Sequence, residues 1–313
     1  MITSALLINI TLFILGLAAL LAGGEILVRG SSRFARGLGI NPVIIGLTII
    51  AFGTSSPEFV VCLTAALRGA SDITLGNIIG SNISNIALIL GIASVISPIR
   101  VESSILKVQT PFMIFFSILV YALCLDGSLG RPEGLVVFLF LIGIIVYSYY
   151  SYSRSVKDGN NGSENSGNGT PFQLLLILIG LAALLLGARL TVDQAIIFAR
   201  TFGLSELIIG ITVIAVGTSL PELSTAIFSA VKKEHEIVVG NVIGSNIFNL
   251  GILGLVALIH PIAVNPSAIR FDLPVMLAFS VLIYPLMRIG SRISRVEGAF
   301  LLIFYAVFIY TIL

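Results

Sequence analysis

Apolar residues run along this chain for about twenty positions at a stretch, and the polar residues between them fall in short clusters. A helix crossing the hydrocarbon core of a bilayer needs about 20 mostly apolar residues. By that measure the pattern predicts ten crossing helices, at about 5–28, 41–67, 74–98, 105–125, 132–153, 172–192, 205–231, 237–262, 271–288 and 296–313. No basic segment precedes the first apolar run, which therefore reads as a spanning helix and not as a cleaved signal peptide. Residues 154–170 break the pattern. They contain Asp158-Gly159-Asn160-Asn161-Gly162-Ser163-Glu164-Asn165-Ser166-Gly167 and read as a flexible linker, too short for a regulatory domain.

The linker separates two similar halves, residues 1–153 and 171–313. Gly16-Leu17-Ala18-Ala19-Leu20-Leu21 returns as Gly180-Leu181-Ala182-Ala183-Leu184-Leu185, and Phe34-Ala35-Arg36 as Phe198-Ala199-Arg200. Ile44-Ile45-Gly46 returns as Ile208-Ile209-Gly210. Gly76-Asn77-Ile78-Ile79-Gly80-Ser81-Asn82-Ile83 returns as Gly240-Asn241-Val242-Ile243-Gly244-Ser245-Asn246-Ile247. Every match keeps one offset, 164 positions, which shared Leu, Ile and Gly content does not produce. Five helices per half is an odd number, so the second half must lie upside down relative to the first. The expected fold is all-α and integral to the membrane: ten transmembrane helices in two inverted five-helix repeats.

Composition agrees. The chain is 57% hydrophobic and 10% charged, with mean hydropathy +1.10, where soluble domains carry about 25% charged residues. The charges lie in short loops and form no patch suited to nucleic acid. Of the basic residues, twelve (Arg29, Arg33, Arg36, Arg100, Lys107, Arg154, Lys157, Lys232, Lys233, Arg288, Arg292, Arg295) fall on one predicted side and five (Arg68, Arg131, Arg189, Arg200, Arg270) on the other. The richer side is cytoplasmic by the positive-inside rule. Both termini are then outside and the linker inside, which leaves the sequons at Asn161 and Asn168 cytoplasmic. Cys62 and Cys124 sit in apolar segments and read as buried small hydrophobes. His235 and His260 sit near segment ends and suggest no catalytic pair.

The candidate chemistry lies in the hexapeptide Gly53-Thr54-Ser55-Ser56-Pro57-Glu58 and its second copy, Gly217-Thr218-Ser219-Leu220-Pro221-Glu222. Pro57 has no N–H, so the helix is expected to kink there, and Gly53 adds backbone freedom. Carbonyls nearby, those of Ala51 and Thr54 among them, are expected to turn out of the ladder. Within a membrane they are tolerated only where they line a cavity or find a partner. Glu58 lies four residues after Thr54, on the same helix face. The same reasoning covers Ala215, Gly217, Thr218, Pro221 and Glu222. An ionised acid at a spanning helix's centre costs about 2.5–3.5 kcal/mol on insertion scales, and no basic residue is in the central part of these helices to pair with one.

Stripes of polar residues spaced by four add neutral oxygens: Asn77, Ser81 and Asn85, then Asn241, Ser245 and Asn249. Ser81, Asn85, Ser245 and Asn249 are assigned to the site. Asn77 and Asn241 read as interhelical hydrogen-bonding or capping residues. Glu25 with Arg29, and Arg189 with Asp193, read as ordinary i, i+4 pairs near helix ends. The ligand set is all oxygen, which suits hard cations such as Ca²⁺ and Na⁺ and argues against zinc or copper. No nucleophile–base pair points to an enzyme.

In these two motif pairs, Gly53–Glu58 with Gly76–Asn85 and Gly217–Glu222 with Gly240–Asn249, the chain resembles the sodium/calcium exchanger family of the cation/calcium exchanger superfamily, over essentially its whole length. The resemblance implies alternating access, with Ca²⁺ exchanged for Na⁺ at the cell membrane. It implies no cofactor beyond the transported ions and no obligate protein partner. It makes Glu58 and Glu222 ligands shared by both ions, joined by the carbonyls of Ala51, Thr54, Ala215 and Thr218. Side chains of Ser55, Ser219, Ser81, Ser245, Asn85 and Asn249 complete the set. Ser56 stands where the first motif usually has leucine. Asn249 stands where some relatives, potassium-dependent ones included, have aspartate, which weakens the case for K⁺ coupling. The short linker implies no Ca²⁺-sensing domain. A Ca²⁺/H⁺ antiporter is the alternative, and a cation channel a more distant one.

Overall fold

The structure, a computed structural model, describes residues 2–38, 41–158, 170–202 and 215–312. Helices dominate. In chain order they are α1 (Ile2–Gly37), α2 (Pro42–Thr54 and Ser56–Leu67, bent by 42° at Ser55), α3 (Ser71–Ile96), α4 (Ile105–Leu123) and α5 (Arg131–Asp158). There follow α6 (Thr170–Thr201), α7 (Ala215–Thr218 and Leu220–Val231, broken at Ser219), α8 (His235–Ile259), α9 (Ala268–Ser291) and α10 (Arg295–Ile312). Among the described residues, seven helices are each long and apolar enough to cross a bilayer, and the two arms of α2 together make an eighth path. This is an all-helical, multi-pass membrane protein. The expected start of the seventh helix, the repeat copy at Ile208-Ile209-Gly210, linker residues 159–169 and both sequons lie outside the described residues.

Three boundaries differ from the sequence expectation in an instructive way. α1 runs to Gly37 and α6 to Thr201, nine residues past each expected end at 28 and 192. The charges that close the apolar run of α1 are themselves paired. Arg29 reaches Glu25 at 2.5 Å, Arg36 reaches Glu234 at 3.0 Å, and Ser32 donates to Glu234 at 2.6 Å. The Arg189–Asp193 pair, at 3.9 Å, sits likewise within α6. α5 likewise continues to Asp158, five residues past the expected end at 153.

α3 and α8 are the central helices. Of the most apolar 18-residue stretch in each, 78% is buried, against 17% in α1. α1 packs along α6 through a seam of glycines. A Cβ on Gly23 would come within 2.8 Å of the Gly180 carbonyl oxygen, and one on Gly180 within 2.9 Å of the Leu27 Cα. Such small-residue seams let backbones touch where lipid offers no hydrophobic driving force.

Two short antiparallel ladders sit at the two ends of α3. β1 (Ile99–Arg100) pairs with β4 (Arg292–Ile293), and β2 (Ser128–Leu129) with β3 (Ile262–Ala263). The Ala263 N–H donates to Ser71, at the start of α3. Arg295, just after β4, donates to the carbonyl of Ile96, at its end. At 1.5 Å per residue those ends are about 39 Å apart.

Candidate functional site

Each broken helix restarts at its motif proline: Pro57 and Pro221 occupy the first turn of the second arm. There a missing N–H costs nothing, because the first helical N–H groups lack intrahelical partners anyway. The bend therefore delivers the next residue, Glu58 or Glu222, at the opening turn of the new arm. Both glutamates are 1% exposed. Gly53 has another use than the one expected of it. Its φ is not positive; instead it lets α6 approach, since a Cβ there would lie 2.8 Å from the Leu181 side chain.

The carboxylates are ringed by hydroxyls from both halves. Ser81 donates to Glu58 Oε1 at 3.4 Å, and Ser55 donates to Glu222 Oε1 at 3.4 Å. The Thr218 hydroxyl also faces Glu58, and those of Thr54 and Ser245 face Glu222. Thr54 donates to Asn241 at 3.3 Å and lies 3.5 Å from Ser245; Thr218 donates to Asn77 at 3.5 Å. Asn77 and Asn241 are thus interhelical hydrogen-bonding residues, well inside their helices, and cap nothing. Asn85 donates to Asn246 Oδ1 and Asn249 to Asn82 Oδ1, both at 3.0 Å. A π-helical turn, Asn85–Ile89, begins at this point of α3. Such turns widen a helix locally and recur at functional sites.

The expectation that a carbonyl turns out of the helical ladder is not met at Ala51. Its carbonyl stays in the helical ladder, accepting the Ser55 N–H at 3.0 Å, and the Thr54 hydroxyl also reaches it at 3.4 Å. The helix bends after that bond rather than breaking it. Ala215 opens the described part of α7, where the Ser219 N–H takes the carbonyl of Val216 at 3.2 Å.

Sequence reasoning passed over Asn82 and Asn246. Both are fully or nearly fully buried, and both lie inside the repeated Gly-Ser-Asn motif. Their place in the repeat was the available signal; their spacing from Ser81 and Ser245 hid them, because an adjacent helical residue faces elsewhere.

What remains at the centre is a set of oxygens without partners: Glu58 Oε2, Glu222 Oε2, Asn85 Oδ1, Asn249 Oδ1 and Ser219 Oγ, all buried. Leaving a buried polar group unsatisfied costs about 1–3 kcal/mol, and more for a charged one. Five such oxygens, on two acids, two amides and a hydroxyl, are of the kind that a hard cation satisfies. Ser81 and Asn85 lie about 15 and 21 Å along α3 from Ser71, and Ser245 and Asn249 about as far along α8 from His235. The cluster is at mid-length of both central helices.

Comparison with known proteins decides the family. The sequence profile described as "Sodium/calcium exchanger protein" matches residues 8–150 and 172–313. The chain belongs to the sodium/calcium exchanger family. It is 39% identical to the putative antiporter CaxA of Alkalimonas amylolytica over 93% of this chain and 95% of that one. It is 33% identical to the sodium/calcium exchanger MaX1 of Methanosarcina acetivorans over 96% and 97%. A solved structure of the sodium-calcium exchanger NCX_Mj superposes with a TM-score of 0.85, at 33% identity, over 98% of this chain and 99% of that chain. The family is one of exchangers, so this member is a transporter.

Proposed function

We propose that the protein exchanges Na⁺ for Ca²⁺ across the cell membrane by alternating access, at one site formed by Glu58, Glu222 and the oxygens around them. The observation that carries this reading is the convergence of two buried carboxylates with the unpartnered oxygens of Asn85, Asn249 and Ser219 at the middle of α3 and α8. Two carboxylates balance one Ca²⁺. Ser55, Ser81, Thr54, Thr218, Ser245 and the carbonyls of Thr54, Thr218, Ala51 and Ala215 supply further oxygen, and several Na⁺ spread over the same atoms. More than two Na⁺ per Ca²⁺ makes the exchange electrogenic.

The moving part in this reading is the α1–α6 pair. It is joined by its glycine seam, and it contributes no atom to the oxygen cluster. Sliding it past the broken helices exposes the site to one side and then the other.

The architecture is proposed to be ten transmembrane helices in two inverted repeats of five, spanning 1–153 and 171–313 and joined by a cytoplasmic linker. Reciprocal bonds support it. Asn82 donates to the Asn246 carbonyl at 3.4 Å and Asn246 to the Asn82 carbonyl at 3.3 Å, residues 164 apart. The ladder β1–β4 likewise maps onto β3–β2 under nearly the same offset. Arg100, Arg292 and Arg295 meet at one end of α3, which supports their common side; that side is taken as cytoplasmic, with both termini outside.

The test is Ca²⁺ flux into proteoliposomes under imposed Na⁺, H⁺ or K⁺ gradients. Flux driven by Na⁺ alone is expected. Flux driven by H⁺ and indifferent to Na⁺ would replace this reading with Ca²⁺/H⁺ exchange.

A further inference from the structure

At the crossing of α3 and α8 the four asparagines Asn82, Asn85, Asn246 and Asn249 form one closed network. The Asn246 NH₂ donates to the Asn82 carbonyl at 3.3 Å and to the Met113 thioether at 3.6 Å. The Asn82 NH₂ donates to the Asn246 carbonyl at 3.4 Å and to the Met276 thioether at 3.7 Å. Carbonyl oxygens and thioethers only accept. An amide turned over at either position would aim its oxygen at two acceptors and be repelled by both. The polarity of Asn82 and Asn246 is therefore set. Each must present its oxygen, Oδ1, on the other side, where it accepts from Asn249 and Asn85 respectively, at 3.0 Å. That in turn sets the outer pair. With their NH₂ groups committed to this bond, Asn85 and Asn249 turn their own oxygens away from it, and those are the buried, unpartnered oxygens of the central cluster.

We infer that Asn82 and Asn246, backed by Met276 and Met113, are positioning residues that hold the Asn85 and Asn249 amides oxygen-first toward the cation. The inference rests on the proposed cation site. Its chemistry is specific to amides: an amide facing the ion the wrong way presents NH₂ and repels it, whereas a carboxylate presents oxygen either way. Met113 and Met276 come from α4 and α9, so those helices take part in ion selection without touching the ion.

The test compares variants of the full-length purified chain by equilibrium Ca²⁺ binding and by transport in proteoliposomes. Asn246→Ala is expected to raise the Ca²⁺ Kd about tenfold or more, the usual scale for losing a group that orients a metal ligand. The Asn85→Asp background is expected to absorb most of that loss, so that Asn246→Ala costs no more than about threefold there. An equal loss in both backgrounds would reduce Asn246 to a packing residue and overturn the inference. Should Asn246→Ala not fold, the variant Met113→Leu carries the test, since it removes the sulfur acceptor behind Asn246 at nearly constant volume. It is expected to weaken Ca²⁺ binding about threefold with asparagine at 85 and not with aspartate; unchanged binding with asparagine overturns the inference. Glu58→Gln separates the two claims. If it leaves Ca²⁺ binding intact, the site itself is wrong; if it abolishes binding while the amide and methionine variants bind normally, only the positioning role fails.

Discussion

Replacing Glu222 with glutamine removes one of the two charges while keeping the shape of the side chain. The remaining oxygen can still accept from Ser55, as Oε1 does at 3.4 Å. The NH₂ then falls where Oε2 now lies buried and without a partner, pointing a donor at the ion. Ca²⁺ binds oxygens at about 2.3–2.6 Å. At that separation, with an effective dielectric constant of about 20, one carboxylate attracts Ca²⁺ by about 13 kcal/mol and Na⁺ by about 7 kcal/mol. Most of this is offset by the desolvation that the charged pair requires. Removing one partner of a buried charge pair costs about 3–5 kcal/mol net. The Ca²⁺ Kd should therefore rise between about a hundredfold and a few thousandfold, since about 1.4 kcal/mol is tenfold. Na⁺, with half the charge, should lose about half the free energy, so the variant shifts toward Na⁺. Calorimetric titration of Ca²⁺ and Na⁺ into wild-type and Glu222→Gln protein measures both. A Ca²⁺ Kd within about threefold of wild type would refute the electrostatic reasoning, as would an equal loss for the two ions.

Other expectations follow from the same geometry. Ser81→Ala, which deletes a hydroxyl that donates to Glu58, should weaken Ca²⁺ binding about three- to tenfold, the worth of one net hydrogen bond; titration of the variant checks it, and a loss as large as that of Glu222→Gln would contradict the division between charged and neutral ligands. Gly180→Leu should push α1 off α6, because even a Cβ there lies 2.9 Å from the Leu27 Cα; transport should fall at least about tenfold while equilibrium Ca²⁺ affinity stays near wild type, and retained transport would exclude the pair as the sliding element. Glu234→Gln removes the charge that binds Arg36 and Ser32 at the end of α1. Because Arg36 is largely exposed, stability should fall by less than about 1 kcal/mol in a thermal melt, and a larger loss would mean that this contact holds the fold together.

Much of this molecule was legible in its sequence because the site is written in the few polar residues a membrane helix can carry. Glu58 and Glu222 stand out by their cost, the prolines by what they do to a helix, and the 164-residue offset by joining both copies. Other features depend on contacts that no linear pattern reports. α1 and α6 outrun their apolar stretches because the charges beyond them are paired within each helix and, in α1, across space to Glu234. Pro57 suggested a carbonyl turned free at Ala51, yet the ladder holds through Ser55 and the bend follows it. Gly53 suggested torsional freedom, but its use is a close approach to Leu181. Asn82 and Asn246 were in plain sight within the repeated motif, but their partners are one another and two methionines more than 130 residues away in sequence.

The central claim is that Ca²⁺ and Na⁺ compete for one oxygen cluster built on Glu58 and Glu222. Calcium titration of the purified protein at rising Na⁺ tests it most directly. The account predicts one Ca²⁺ per chain, with an apparent Kd that rises more steeply than in proportion to Na⁺ concentration, because more than one Na⁺ displaces each Ca²⁺. Ca²⁺ binding that is indifferent to Na⁺ would contradict it.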